Sequence, residues 1–317
     1  MIPAHAPLVG QTRGEHLESI HYGSAVLLDA DGNIETSIGD TEAVFYPRSA
    51  LKPLFAVGMV GAGLKLNQEQ LTLASASHSG SLEHQRIVLS TLHDAGLAES
   101  DLGNSVDLPY GKAEREAHLA AGGRPTRLAQ NCSGKHAALQ ALCALKGWDT
   151  ENYLDPEHPV SALLRETIEE LCGTRVASTS IDGCGTPVYP LTLAALARGY
   201  ARLAQGAPGS AEQQVKAAIV NHPELLAGVD RDVSALMRAL PGAVAKDGFE
   251  GIQAVALPDG RALAVKISDG GDRARMPITA TLLLNALEEA PDDLRALTHS
   301  NVEAGPAEER VGKLFAL

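Results

Sequence analysis

Residues 20–39 read IHYGSAVLLDADGNIETSIG. Two runs suited to strands, IHYGSAVLLD and NIETSIG, flank a turn centred on Asp31-Gly32. Asp-Gly accepts the positive φ angles that a tight hairpin turn needs, so the segment predicts a β-hairpin. The pattern returns near the other end, where GIQAVALP and RALAVKIS flank Asp259-Gly260. Two hairpins at opposite ends of the chain, with helical patterning between them, predict one antiparallel sheet assembled from both termini.

Between the hairpins, apolar spacing near three and four predicts helices over 50–63, 66–76, 83–96, 136–146, 159–172, 190–205, 211–221 and 232–239. Stretches rich in proline and glycine at 103–111 and 120–126 read as loops bordering a site. The tail from about Ala290 is polar and acidic, and part of it is compatible with helix. No internal repeat or low-complexity linker interrupts the chain. The expectation is a single α+β catalytic unit over residues 1–317, with a helical subregion.

Composition narrows the function. The hydrophobic fraction of 44% and charged fraction of 21% are those of an ordinary globular protein, and only 3% aromatic residues make the core aliphatic. A net charge of −13 argues against nucleic acid or an anionic membrane surface as partner. The opening MIPAHAPLVGQTRGEH lacks the basic and apolar regions of a signal peptide, and no apolar run approaches the roughly 18 residues that span a bilayer. Four cysteines are too few for a disulfide scaffold in 317 residues, so a cytoplasmic enzyme is expected.

The segment Tyr46-Pro47-Arg48-Ser49-Ala50-Leu51-Lys52-Pro53 holds the only S-x-x-K of the chain. Positions i and i+3 share a helix face, so Ser49 Oγ and Lys52 Nζ can meet. Proline is tolerated in the first helical turn, so Pro53 places the helix start close to Ser49, at the positive end of the helix dipole. A serine nucleophile needs a base, and lysine serves once burial or a neighbouring cation lowers its pKa. Arg48 is one such neighbour. The bland alternative is a solvated lysine near a helix start.

Two further elements follow in order. Ser75-Ala76-Ser77-His78-Ser79-Gly80 contains S-x-S, and Ala245-Lys246-Asp247-Gly248 precedes the second hairpin. S-x-x-K, S-x-[NS] and K-x-G in this order mark the serine β-lactamase and penicillin-binding group. In that arrangement a second serine relays protons and a second lysine holds charge in register. Otherwise Ser77 is a helix cap and Lys246 a surface lysine in a turn.

Asn131-Cys132-Ser133-Gly134-Lys135-His136 precedes an apolar helix, and Ser180-Ile181-Asp182-Gly183-Cys184-Gly185-Thr186-Pro187 is a glycine-rich turn. Cys143 and Cys172 fall on apolar helical faces and read as core. Cys132 and Cys184 lie in loops. With Lys135 or His136 nearby they form either a small zinc site or a buried pair of free thiols, and the spacing alone does not choose.

Taken in order, VGQTRG, ESIHYG, YPRSALKP, ASHSG, NCSGKHAALQAL, IDGCGTP, NHPELLAG, AKDGFEG and KISDGGDRA resemble the asparaginase II family, the Rhizobium-type L-asparaginases. These segments run from about residue 9 to residue 274. The resemblance implies a fold like that of serine β-lactamases and glutaminases, and hydrolysis of L-asparagine to L-aspartate and ammonia. It puts two serine–lysine tandems on Ser49 with Lys52 and on Ser77 with Lys246, with Lys266 the rival for Lys246. It puts a zinc site on Cys132, Lys135 and Cys184, where the metal positions substrate or shapes the pocket. Asp182 is then expected to orient Lys135 or the substrate ammonium, and Arg48 or His78 to meet the α-carboxylate. A homodimer is implied as well. The acidic Asp247, where the family more often carries a small or apolar residue, is expected to alter the lysine before it.

Other readings on the same residues are a glutaminase, a β-lactam-directed serine hydrolase, or an inactive protein that binds asparagine or metal. Ammonia release from asparagine and glutamine, penicillin trapping and calorimetry separate them.

Overall fold

A computed structural model describes residues 2–289 and 291–317. Strands β1 (Ala6–Arg13) and β2 (His16–Leu28) pair antiparallel, and β2 then turns into β3 (Ile34–Ile38). The turn forms as its residues dictate. The Asp29 carboxylate accepts the backbone N–H groups of Asp31 and Asn33 at 3.0 and 2.8 Å, and Gly32 takes φ +85°.

The helical middle follows as α1 (Lys52–Gly61), α2 (Gln68–Ala74), α3 (Leu82–Asp94), α4 (Lys112–Ala120), α5 (Ser133–Lys146) and α6 (Pro159–Cys172). A short ribbon of β4 (Ser180–Ile181) and β5 (Pro187–Val188) separates these from α7 (Leu193–Ala204), α8 (Ala211–Asn221), α9 (Pro223–Leu226) and α10 (Asp232–Ala239). Every helix expected from the spacing is present, with ends moved by a few residues. Helix α4 is additional: it lies between the two loops and has no buried residue to give it an apolar stripe.

The second hairpin is β7 (Ile252–Ala256) and β8 (Ala262–Ile267), preceded by β6 (Val244–Gly248). Helix α11 (Asp272–Ala286), α12 (Asp292–Ala296), β9 (His299–Ala304) and β10 (Glu309–Ala316) complete the chain. The tail is therefore mainly strand, where helix had been partly expected. It adds two strands whose side chains are largely exposed, so it lacks an apolar signal.

All pairings in the main sheet are antiparallel, in the order β6-β7-β8-β2-β1-β10-β9, with β3 beside the far half of β2. The α+β sheet built from both chain ends is thus observed. Helix α7 packs on β2, β7 and β8, and α11 packs on β1, β7, β8 and β10. Strand β7 is accordingly buried along its whole length, and β6, at the sheet edge, is buried as well because the turn at Arg48–Leu51, α10 and α8 cover it. The remaining helices form the subregion above this sheet, with α5 against α2 and α3, and α6 against α1 and α7. Among the described residues no helix is long and apolar enough to cross a membrane.

Candidate active site

Ser49 lies on a 3-10 turn, Arg48–Leu51, that runs directly into α1. The expected helix thus begins one turn later than Ser49, at Lys52, with Pro53 in its first turn as anticipated. Side chains at i and i+3 eclipse in a 3-10 turn, yet among the described residues the hydrogen bonds of Lys52 Nζ all go elsewhere and none reaches Ser49 Oγ. The turn is anchored from α7, where Tyr200 donates its hydroxyl to the Ala50 carbonyl at 2.8 Å. Arg48 takes φ +53°, a left-handed conformation unusual for a side chain of its size.

Lys52 is buried, and its three hydrogen bonds go to the Ala76 carbonyl (2.6 Å), Ser77 Oγ (3.0 Å) and Cys132 Sγ (3.1 Å). The lysine of the first tandem therefore bonds the serine of the second. Ser77 sits three residues beyond α2 in an extended segment rather than as a helix cap. Its N–H bonds the Leu226 carbonyl, and the next N–H, that of His78, bonds the Asn131 carbonyl. Ser49 and Ser77 line one cavity of about 120 Å³ with Tyr110, Asn131, Asp247, Gly248, Phe249, Glu250, Gly270 and Asp272.

Lys246 occupies the middle of β6, not a surface turn, and is fully buried. Its Nζ donates to the Asp247 carbonyl at 2.8 Å and to the Asp247 carboxylate. Burial pushes Lys246 down to about 8, with Asp247 working against the shift and Lys52 and Arg231 with it. The acidic neighbour thus does act on the lysine. Asp247 is itself held far below the usual carboxylate range: burial opposes this, and Lys246, Arg231 and Arg275 outweigh it. Arg231 closes the group with a 2.7 Å bond to Asp247, and its guanidinium lies 4.6 Å above the Tyr110 ring. The sequence offered no sign of Arg231, which becomes relevant only through the charge it faces. The rival Lys266 donates to the backbone carbonyls of Glu250 and Ile267 at 2.6 and 2.7 Å and so ties β8 to the turn after β6.

Arg48 meets Asp182, its Nε and Nη2 each 2.6 Å from Oδ1. Asp182 therefore orients Arg48. His78 is fully buried, stacked on His84 with ring centroids 5.1 Å apart, and bonded through Nε2 to Ser133 Oγ at 3.0 Å. Burial drives it well below the ordinary histidine range, and it does not line the cavity. A neutral buried imidazole offers no counter-charge to a carboxylate, so the expectation for His78 loses its physical basis.

The loops carrying Cys132, Lys135 and Cys184 converge behind Lys52. Close approach makes this possible: a Cβ on Gly134 would lie 2.3 Å from the Leu73 carbonyl oxygen, so only glycine lets the start of α5 reach α2. Lys135 Nζ lies 3.2 Å from Cys184 Sγ and 2.5 Å from Thr186 Oγ1. Cys132 and Cys184 share hydrogen bonding that raises the Cys132 thiol and draws Cys184 far down, where Lys135 and His136 also favour the thiolate. Burial would lower Lys135, but the two sulfurs and Asp182 raise it. His136 is pushed down to about 4 by burial; its Nδ1 bonds Tyr153 Oη at 2.7 Å, while its buried Nε2 has no hydrogen-bond partner. All four cysteines are free, with Cys143 and Cys172 in the core as read from the sequence.

Among the described residues no three His, Cys, Asp or Glu side chains converge as a metal site. A metal here therefore needs the lysine amine. Two sulfurs and one nitrogen, all buried, fit zinc in kind.

A family model described as L-asparaginase II matches residues 9–316. The chain belongs to the L-asparaginase II family. Membership places it among amidohydrolases acting on a small amino-acid substrate. Among solved structures it is similar to a β-lactamase from Mycobacterium bovis, with 18% identity over 86% of this chain and 93% of that one, TM-score 0.44. It is also similar to Mglu in its native form (15% identity, 83% of this chain, TM-score 0.46) and spans only 63% of that protein's length. A Bacillus glutaminase matches with 14% identity over 78% of this chain and 83% of its own, TM-score 0.42. A search of curated proteins finds no match.

Proposed function

We propose that the protein is an L-asparaginase that works through Ser49 and an acyl-enzyme. The observation that carries the reading is the bond from Lys52 Nζ to Ser77 Oγ, 3.0 Å, beneath a cavity that Ser77 shares with Ser49. Lys52, as the free amine, takes the Ser49 proton, with Ser77 on the path between solvent and lysine. Ser49 Oγ then bonds the amide carbon, and the backbone N–H of Ser49 itself holds the oxyanion, since Lys52 N–H is bonded to the Ser49 carbonyl and Pro53 has none. Collapse of the tetrahedral intermediate breaks the C–N bond. Ser77 and Lys246 deliver the proton that lets ammonia leave, and water completes the hydrolysis through the same groups.

Cys132, Lys135 and Cys184 would hold zinc. Bound there, it supplies a fixed positive charge that ties the two loops together behind Lys52. Lys135 must lose its proton to serve. Homodimerisation is part of the same proposal, supported by the family resemblance and read by light scattering.

Asparagine, rather than glutamine, is proposed on the family match. Side-by-side ammonia release from the two amides tests it: asparagine should be turned over with the higher kcat/KM. Equal or greater release from glutamine overturns the substrate, and release from neither overturns the activity.

A further inference from the structure

Three carboxylates line the cavity at Ser49: Asp247, Glu250 and Asp272. Asp247 is taken by Lys246 and Arg231, and Asp272 accepts Arg275 Nε at 3.0 Å. Nearby Asp182 is taken by Arg48. Among the described residues Glu250 makes no ion-pair contact, and Lys266 is the cation that senses its charge.

Its backbone is unusual as well. Glu250 takes φ +72° and Gly251 φ +68° in the loop between β6 and β7. Such a loop prefers asparagine or glycine, and a glutamate there has no local reason. The carboxylate is held in place by clearance: a Cβ on Gly270 would come within 2.3 Å of Glu250 Oε2, so the side chain lies against the one residue type that leaves it room. The loop itself stands beside the nucleophile, since a Cβ on Gly248 would lie 2.4 Å from the Pro47 carbonyl oxygen. Lys266 pins the same loop through the Glu250 carbonyl at 2.6 Å.

We propose that Glu250 reads the α-ammonium of the substrate, so that the site selects free amino-acid amides over N-acylated ones. This rests on the amidohydrolase reading and deepens it. A carboxylate accepting charged N–H groups discriminates by roughly 10- to 100-fold against a ligand lacking them. The turn fixes the backbone that carries this exposed side chain beside Gly270, at the expense of the strain that a glutamate carries at this φ.

The test uses the full chain and the variants Glu250→Gln and Glu250→Gly. Glycine suits a positive φ, so Glu250→Gly should melt at or above the parent's temperature, which separates loss of the carboxylate from loss of the fold. Calorimetry of L-aspartate and of succinate, which lacks the ammonium, should show a roughly 10- to 100-fold preference for aspartate in the parent that collapses in both variants. With L-asparagine the loss should fall on KM, and kcat/KM for N-acetyl-L-asparagine should stay unchanged. A parent that binds the two dicarboxylates equally, or variants that keep the parent's ratio, overturns the role of Glu250. Calorimetry needs no turnover, so a parent that releases no ammonia defeats the amidohydrolase reading separately.

Discussion

Lys52 Nζ lies 3.0 Å from Ser77 Oγ, although the two residues are 25 positions apart, so the lysine of the first serine–lysine element bonds the serine of the second, and the proposed mechanism passes its proton there. Ser77→Ala should therefore lower kcat by roughly 10²- to 10⁴-fold, the usual contribution of positioned proton transfer, with KM little changed. Adding Lys52→Ala should cost no more than Lys52→Ala alone, because groups that act as a unit are not additive. Steady-state ammonia release from the two single variants and the double variant checks this.

Lys246 gives a prediction for stability. Its folded value of about 8 lies below its ordinary 10.5. Between these values the unfolded chain binds more protons than the folded one, so stability rises with pH across this window. Relative to Lys246→Met, the parent should gain up to about 3 kcal/mol between pH 8 and 10.5. Urea unfolding of both proteins across that range measures it, and the comparison cancels groups common to the two.

Asp247 raises Lys246, and Arg231 lowers it. Asp247→Asn removes the first influence and leaves the second, so the lysine should titrate lower. If protonated Lys246 serves the departing ammonia, activity falls as pH rises through its pKa. That falling limb of the kcat profile should move toward acid in Asp247→Asn. An unmoved limb would detach Lys246 from the chemistry.

The approach of α5 to α2 sets a fourth expectation. Gly134→Ala would put a methyl group 2.3 Å from a backbone oxygen, which has no flexible side chain to yield. It should destabilise by about 1–3 kcal/mol, the cost of forced overpacking, and disturb Cys132 and Lys135 on either side. Thermal unfolding reads the first effect.

Zinc content reads the second. The parent should retain about one zinc per chain on mass spectrometry, and Cys184→Ala or Lys135→Ala should lose it, since a site with only three protein donors has none to spare.

Much of the fold was legible because it rests on local chemistry. Asp31-Gly32 and Asp259-Gly260 mark the turns, and the helices of the middle carry their own periodicity. Strand β6 was missed because Lys246 and Asp247 look exposed by type, whereas here each buries the other's charge. Helix α11 was missed because apolar and polar residues are spread round it and Pro277 lies inside it. In the site, Ser49, Lys52 and Ser77 followed from short motifs that sit on one turn or just past one helix. Arg231, Glu250 and Tyr110 did not. Their roles depend on which loops the sheet brings together, and no spacing along the chain encodes that. His78 differs from its neighbour Ser77, which lines the cavity, because its ring is buried against His84.

The measurement closest to the central claim is the mass of Ser49 during turnover. Asparagine mixed with the enzyme and quenched in acid should leave an aspartyl ester on the peptide that carries Ser49, and Ser49→Ala should lose both that ester and ammonia release while melting like the parent. Ammonia release by Ser49→Ala at a near-parental rate, or an ester found on Ser77 instead, would contradict Ser49 as the nucleophile.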